Sequence, residues 1–446
     1  MTGLVAAFRL SQEPGLDVTL LEARKGVGGK VNTVTLDGAR VELGPDSFLP
    51  RDDRPLRLCR DIGLAGELVE PHDFGGWLFR AGELRPLPSG TVLGFPASLR
   101  SLATARVLSP SERLRAAAEL LNPRPLSGPD VSVGAFTRAR LGPQVLERLV
   151  DPLLAGTRAG DVDEMSLAAA IPPVDAAARS HRSLIRGLAS ARKVGGGVRP
   201  RFFAPREGMH RLVEALEDAM LGVDVRRDTL VDAIETAGEA FAVRTSNEVI
   251  EADAAIVTAP SHAAAAMLRA LSRGAAEELE RIEHASSAVV NLLFPQDSVR
   301  LPAGGSGVLI PSSERMAISG CTWFSNKWPH LAAEDGRITI RCFVGRGARD
   351  AALELSDRDL AGVVTEELTR VTTLGAAPSA TKVTRWDSGL PRYVVGHLDR
   401  VKRIEKELAA TPCLRLAGAS LRGSGIPDCI AQAERAAAAV VQALRG

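Results

Sequence analysis

Residues 2–30, TGLVAAFRLSQEPGLDVTLLEARKGVGGK, constrain the fold more than any other stretch of the chain. They predict a helix, a turn, a short strand ending at Glu22 and then a loop with paired glycines. That order is the later part of a Rossmann unit. There a glycine turn precedes the helix, and an acidic residue about 20 positions after the turn takes the ribose hydroxyls. Gly3 serves as the third glycine of such a turn, the one that lets helix and sheet pack closely, and Glu22 then falls at the acidic position. The strand and first two glycines, about a dozen residues in a typical unit, do not stand before Met1. A chain starting there is expected to hold a dinucleotide poorly.

The other end carries a matching signal. Strand CLRLAGA, loop SLRGSG and helix IPDCIAQAERAAAAVVQAL close the chain. Gly418, Gly423 and Gly425 let backbone approach a flat ligand that side chains would obstruct. Pro427 suits the first turn of a helix, where a missing N–H costs nothing. The positive end of that helix would face the pyrimidine of a flavin, where negative charge develops on reduction. With Glu22 and the VGGK loop, whose N–H groups and neighbours Arg24 and Lys30 suit a pyrophosphate, the cofactor expected is FAD.

Between the ends, residues 98–190 are mostly helical in pattern, and VGGGV at 194–198 reads as a linker. VDVRR, LVDAIETA, AFAVRTS and EVIEAD read as an antiparallel meander. It is followed by AAIVTAP, a wholly apolar strand of the kind buried on both faces of a parallel sheet. The expected fold class is α/β with an α+β insert. FAD-binding segments at 1–70, 194–269 and 405–446 are separated by substrate-domain segments at 71–97 and 270–404 and a helical subdomain at 98–193.

Composition excludes more than it proposes. With 55 basic and 54 acidic residues the net charge is +1, so no global field favours nucleic acid. No apolar run reaches the roughly 18–20 residues of a transmembrane helix, although contact with a membrane surface stays open. Five scattered cysteines and seven histidines lack metal-ligand or disulfide spacing, so no metal is expected and a reducing cytoplasm is the simplest location.

Eight segments, in order from end to end, carry a resemblance: LLEARKGVGGKVNT, VELGPDSFLPR, LRPLPSGTVLGFP, LVDPLLAGTRAGDVDEMSL, FFAPREGMHRLVEAL, CTWFSNKWPH, GLPRYVVGHLDRV and LAGASLRGSGIPDCIAQAERAA. The chain resembles the bacterial FAD-dependent coproporphyrinogen/protoporphyrinogen oxidases of haem synthesis, within the amine-oxidase-like flavoproteins. The resemblance implies removal of six electrons from a porphyrinogen in three two-electron steps. Each passes a hydride to non-covalently bound FAD with loss of a pyrrole N–H proton, and dioxygen is the acceptor, giving peroxide. It implies that Glu22 holds the adenosine ribose and that Gly28, Gly29 and Lys30 lie near the pyrophosphate. Gly44, Pro45 and Asp46 would stand at the cofactor, Val231 beside the adenine, and Gly418, Ala419, Ile426 and Pro427 near the isoalloxazine.

On the substrate side the resemblance places Gly156, in the AGTRAG loop, by the porphyrinogen, where its carbonyl would help hold the pyrrole N–H groups. Arg158, where the family more often has an aromatic residue, and Lys327 in NKWPH are the candidate propionate contacts, arginine being the better bidentate donor. Tyr393 and His397 are expected to line the join between domains. Coproporphyrinogen III is favoured over protoporphyrinogen IX, and a monomer or homodimer is expected. An amine oxidase or desaturase is the alternative within the fold. Tyr393 is the sole tyrosine, and LAGASLRGSG offers no cysteine for covalent flavin, which argues against a monoamine oxidase. A non-catalytic binding protein or inactive truncated homologue is the alternative of another class.

Overall fold

The computed structural model describes the chain apart from residues 73–74, 122–124, 159, 195–200, 348–349 and 446; the side chains of 155–158 and 192–194 are also outside it. The linker expected at 194–198 therefore lies almost wholly outside the described residues.

The opening helix, Thr2–Ser11, buries Leu4, Val5, Ala6, Ala7 and Phe8. It packs against the closing helix Ile426–Arg445 and the helix His210–Ala219. Its last turn is pinned by Arg9, which reaches Asp61 at 2.6 Å and Glu434 at 2.7 Å. Gly3 is required at its other end. A Cβ there would stand 2.9 Å from Thr258 Oγ1 and 3.4 Å from Leu20 Cδ1, so the missing side chain lets one helix seat against strands on both sides.

Those strands form two parallel pairs, Thr19–Leu21 with Asp224–Arg226 and Ala255–Val257 with Leu414–Leu416. The pairing corrects the expectation that VDVRR belongs to the meander. Val225 packs beside the opening helix, and Glu22 N–H continues the ladder to Arg226 O at 2.9 Å. The antiparallel meander is the next three strands, Val231–Ala237, Ala240–Thr245 and Val249–Ala252. The apolar strand Ala255–Val257 is also less covered than expected: only Val257 is fully buried.

A second layer is a seven-stranded mixed sheet. Its order is Ala380–Pro391, His284–Phe294, Ile338–Val344, Ile318–Trp323, Gly307–Leu309, Trp77–Arg80 and Glu83–Pro86. His284–Phe294 is flanked on both sides and is buried continuously from Ala288 to Phe294. The hairpin Trp77–Pro86 turns at Ala81 (φ +49°) and Gly82 (φ +81°), and joins the far edge in parallel with Gly307–Leu309.

Short helices between Leu99 and Val194 enclose a separate core around Phe95, Phe136, Leu149, Leu154, Leu167 and Leu188. Here the AGTRAG segment departs from expectation. It is not a loop up to Arg158, because the helix Asp151–Arg158 runs through Gly156 directly from the π-helical turn Leu146–Val150. The buried Leu149, Val150 and Leu154 anchor that continuous apolar face.

Candidate cofactor and substrate site

Three backbone segments converge where the opening helix begins. Gly28 and Gly29 take φ of +92° and +65°, which only glycine adopts without strain, and a Cβ on Gly28 would meet Val213 Cγ2 at 2.6 Å. Gly44 lies against the same loop so closely that a Cβ would sit 1.7 Å from Lys30 O. The closing helix completes the group. Cys429 is buried in its first turn, where the Thr2 side chain hydrogen-bonds it, and Cys429, Glu22 and Lys30 all act electrostatically on the Met1 amino group.

The electrostatics of this corner call for an anion. Burial lowers the pKa of the Lys30 ammonium, and no ion pair to Lys30 is found among the described residues. A poorly compensated cation, Lys30, beside a helix N-terminus and a positive-φ glycine loop fits a pyrophosphate. Glu22 is half-buried at its strand end, its Oε1 accepting from Arg24 N–H at 3.0 Å. Arg24 itself is exposed, and Val231 is half-buried at the start of the meander.

The GPDS segment is clamped from the large sheet. Trp386 Nε1 donates to Leu43 O at 2.8 Å, and the Arg341 guanidinium donates to Gly44 O. Asp46 accepts from Lys327 Nζ at 2.7 Å and lies 3.8 Å from Arg341 Nη1. Burial alone would raise the Asp46 carboxyl, but Lys327 and Arg341 outweigh it and hold it well below the usual range. Beneath, Glu42 is buried and pushed up to about 7 by desolvation, despite hydrogen bonds from Met209 N–H (2.7 Å) and Thr33 Oγ1 (3.0 Å). Lys327 is thus held by Asp46 and by the face of Trp328, and a propionate reaching it would share it with Asp46.

At the carboxy-terminal loop one buried side chain sets the shape. Gln432 Oε1 accepts from Gly418 N–H, while its Nε2 lies within 3.1–3.2 Å of the carbonyls of Arg422, Gly423 and Asp428. Gly418 (φ +135°) and Gly423 (φ +94°) have the conformations that glycine permits. Ile426 is buried and Pro427 occupies the first helical turn, as read from the sequence.

Tyr393 and His397 also meet this loop. The Tyr393 hydroxyl donates to Ala419 O. The two rings stack at 4.3 Å, and His397 Nε2 lies 2.8 Å from Leu421 O. Burial pushes His397 down to about 4, so it is neutral at pH 7 and its Nε2 carries the donated proton. These residues tie the end of the long sheet strand to the glycine loop.

A small, partly open cleft lies beside that tie. Its walls include Gly160, Glu164, Met165, Arg392, Tyr393 and Ser424. It therefore joins the helical layer, the sheet end and the glycine loop. Lys327 is not in its wall. Gly156 and Arg158 precede the wall on the helix Asp151–Arg158, but their side chains lie outside the described residues. Sequence reasoning missed Arg341, Arg392, Cys429 and Gln432 as parts of this region. Nothing in the local sequence pattern marks them, because their significance lies in contacts that the fold creates.

Comparison with known proteins agrees with the geometry. The family described as flavin containing amine oxidoreductase matches residues 1–441. The coproporphyrinogen III oxidase of Bacillus subtilis (strain 168) is 37% identical over 98% of this chain and 95% of its own length. That of Staphylococcus aureus (strain NCTC 8325 / PS 47) is 32% identical over 100% and 98%. A solved structure from Exiguobacterium sp. 255-15, named as a candidate protoporphyrinogen oxidase, superposes with a TM-score of 0.87. It is 32% identical, covering 99% of this chain and 97% of that one. Among the described residues no helix is long and apolar enough to cross a membrane, and no cluster could hold a metal ion.

Proposed function

This chain belongs to the flavin-containing amine oxidoreductase family, and we propose that it oxidises coproporphyrinogen III to coproporphyrin III in haem synthesis. The observation that carries the reading is the cleft between the helical layer and the glycine loop. Ser424 belongs to that loop, and Tyr393 in the cleft wall is bonded to it through Ala419. An edge of a porphyrinogen entering this cleft would thereby be set against the backbone that would hold the isoalloxazine.

Non-covalently bound FAD would supply the two-electron acceptor for each of three oxidations, in which a bridging carbon gives up a hydride equivalent and a pyrrole N–H its proton, with dioxygen ending as hydrogen peroxide. The chain's own residues orient and exclude water. Gly28, Gly29 and Lys30 would hold the pyrophosphate, Glu22 the ribose and Val231 the adenine edge. Gly44, Pro45, Asp46, Gly418, Ala419, Ile426 and Pro427 would frame the ring system. We keep Gly156 and Arg158 as proposed substrate contacts on the helix that leads into the cleft wall, and Lys327 as one reached only in competition with Asp46. A neutral His397 stacked on Tyr393 keeps the sheet end in place without adding charge. A cytoplasmic monomer or homodimer completes the reading.

The test is aerobic turnover by the purified, FAD-reconstituted protein. Coproporphyrinogen III should give porphyrin fluorescence and peroxide, and simple amines and polyamines should give neither. Faster turnover of protoporphyrinogen IX would replace the substrate, and peroxide from amines alone would overturn the reading.

A further inference from the structure

We propose that Arg392 is a carboxylate-binding residue of the cleft, and that Glu164 and Glu283 occupy it until a substrate carboxylate exchanges for one of them. The inference rests on the porphyrinogen reading and adds the residue that selects for propionates.

Arg392 follows the end of the long strand Ala380–Pro391, and its backbone N–H donates to Glu283 O at 2.8 Å. Its side chain is only 7% exposed, yet it lines the cleft. One terminal nitrogen is paired with Glu283 and the other with Glu164, while buried Nε has no hydrogen-bond partner among the described residues. The asymmetry lies in the partners, whose side chains are 58% and 60% exposed. A buried guanidinium left bare is costly, so the free protein needs an anion there. Mostly hydrated glutamates fill that need weakly, because exposed ion pairs contribute little and their side chains regain freedom on release.

An incoming carboxylate offers the same fork-shaped acceptor without changing the local charge once a glutamate has swung into water. The position gives the exchange a purpose. Leu390, Tyr393 and Ser424 line the same cleft, so a propionate held at Arg392 fixes one edge of the macrocycle relative to the glycine loop. Had Arg392 served only to clamp the sheet end to the helical layer, the ester or acid state of a ligand would not matter.

The test is fluorescence titration of the FAD-loaded protein with coproporphyrin III and with its tetramethyl ester. Arg392→Gln should weaken binding of the acid about tenfold, the loss of a charged hydrogen bond, and leave the ester unchanged. Glu164→Gln/Glu283→Gln should tighten binding of the acid, because the competing carboxylates are gone. Equal weakening of acid and ester would show a purely structural clamp and overturn the proposal. If Arg392→Gln does not fold, the double glutamine variant decides, and unchanged affinity for the acid refutes the exchange. A wild-type protein that oxidises coproporphyrinogen III, paired with an unaffected Arg392→Gln, sinks only this proposal. A wild-type protein that neither binds the acid nor oxidises the porphyrinogen sinks the reading beneath it.

Discussion

Asp46→Asn removes a carboxylate that compensates two cations at once. Lys327 Nζ lies 2.7 Å from it and Arg341 Nη1 3.8 Å, and the three side chains are 13%, 16% and 3% exposed in the order Asp46, Lys327, Arg341. Arg341 has no slack, because its Nε already lacks a partner among the described residues. Breaking a buried pair by removing one member costs about 3–5 kcal/mol. With an unfolding entropy of roughly 2.1 cal/mol/K per residue over a chain of this length, 1 kcal/mol corresponds to about 1 °C. Thermal melting at pH 7 should therefore show Tm lowered by about 3–5 °C.

The pH dependence supplies a second handle. Asp46 is held below its ordinary value in the folded state, so its contribution is complete above the ordinary carboxylate range. It is lost as pH falls through the lowered folded value. The gap between wild type and Asp46→Asn should thus be constant near neutrality and close in strong acid. Asp46→Asn/Lys327→Met should recover only the Lys327 share of the loss, since a buried pair replaced as a unit is nearly neutral while the buried Arg341 stays without Asp46. A variant that melts with wild type at pH 7, or single losses that simply add in the double variant, would refute the coupling.

Three further outcomes are expected. Glu42 is raised to about 7 by burial, so the folded state binds more protons than the unfolded one between the ordinary carboxylate value and 7; stability should fall as pH rises through that window. Glu42→Gln should flatten the fall in pH-dependent denaturant melts, and an unchanged slope would contradict the assignment. Gly28→Ala meets both a φ of +92° and Val213 Cγ2 at 2.6 Å, so it should lower stability by about 1–3 kcal/mol; Gly28→Ala/Val213→Ala should recover only the steric part, read by urea melts. Gln432→Leu strips the glycine loop of its internal amide and should reduce FAD affinity about tenfold in a flavin fluorescence titration. Affinity equal to wild type would show that the loop holds its shape without Gln432.

The elements with strong local signatures were legible in the sequence. The opening helix, Glu22 at a strand end, the paired positive-φ glycines and the closing loop–helix depend on short-range chemistry that a single sequence displays. The misplacement of VDVRR has a different origin. A three-residue strand joins a parallel or antiparallel neighbour according to tertiary packing, and Val225 is drawn to the opening helix rather than to the meander. The AGTRAG segment read as a loop because of its glycines, yet the buried face of Leu149, Val150 and Leu154 carries a helix through Gly156. Arg392 and Gln432 are separated from their partners by up to 228 and 14 residues respectively, and nothing local marks either one.

The central claim is that a porphyrinogen in the cleft delivers electrons to flavin framed by the glycine loops. Anaerobic mixing of the FAD-loaded protein with coproporphyrinogen III, followed by flavin absorbance in a stopped-flow spectrometer, tests it most directly. The account predicts bleaching of the flavin band by the porphyrinogen and recovery on admitting oxygen. An oxidised flavin that persists with porphyrinogen but is bleached by dithionite would contradict it.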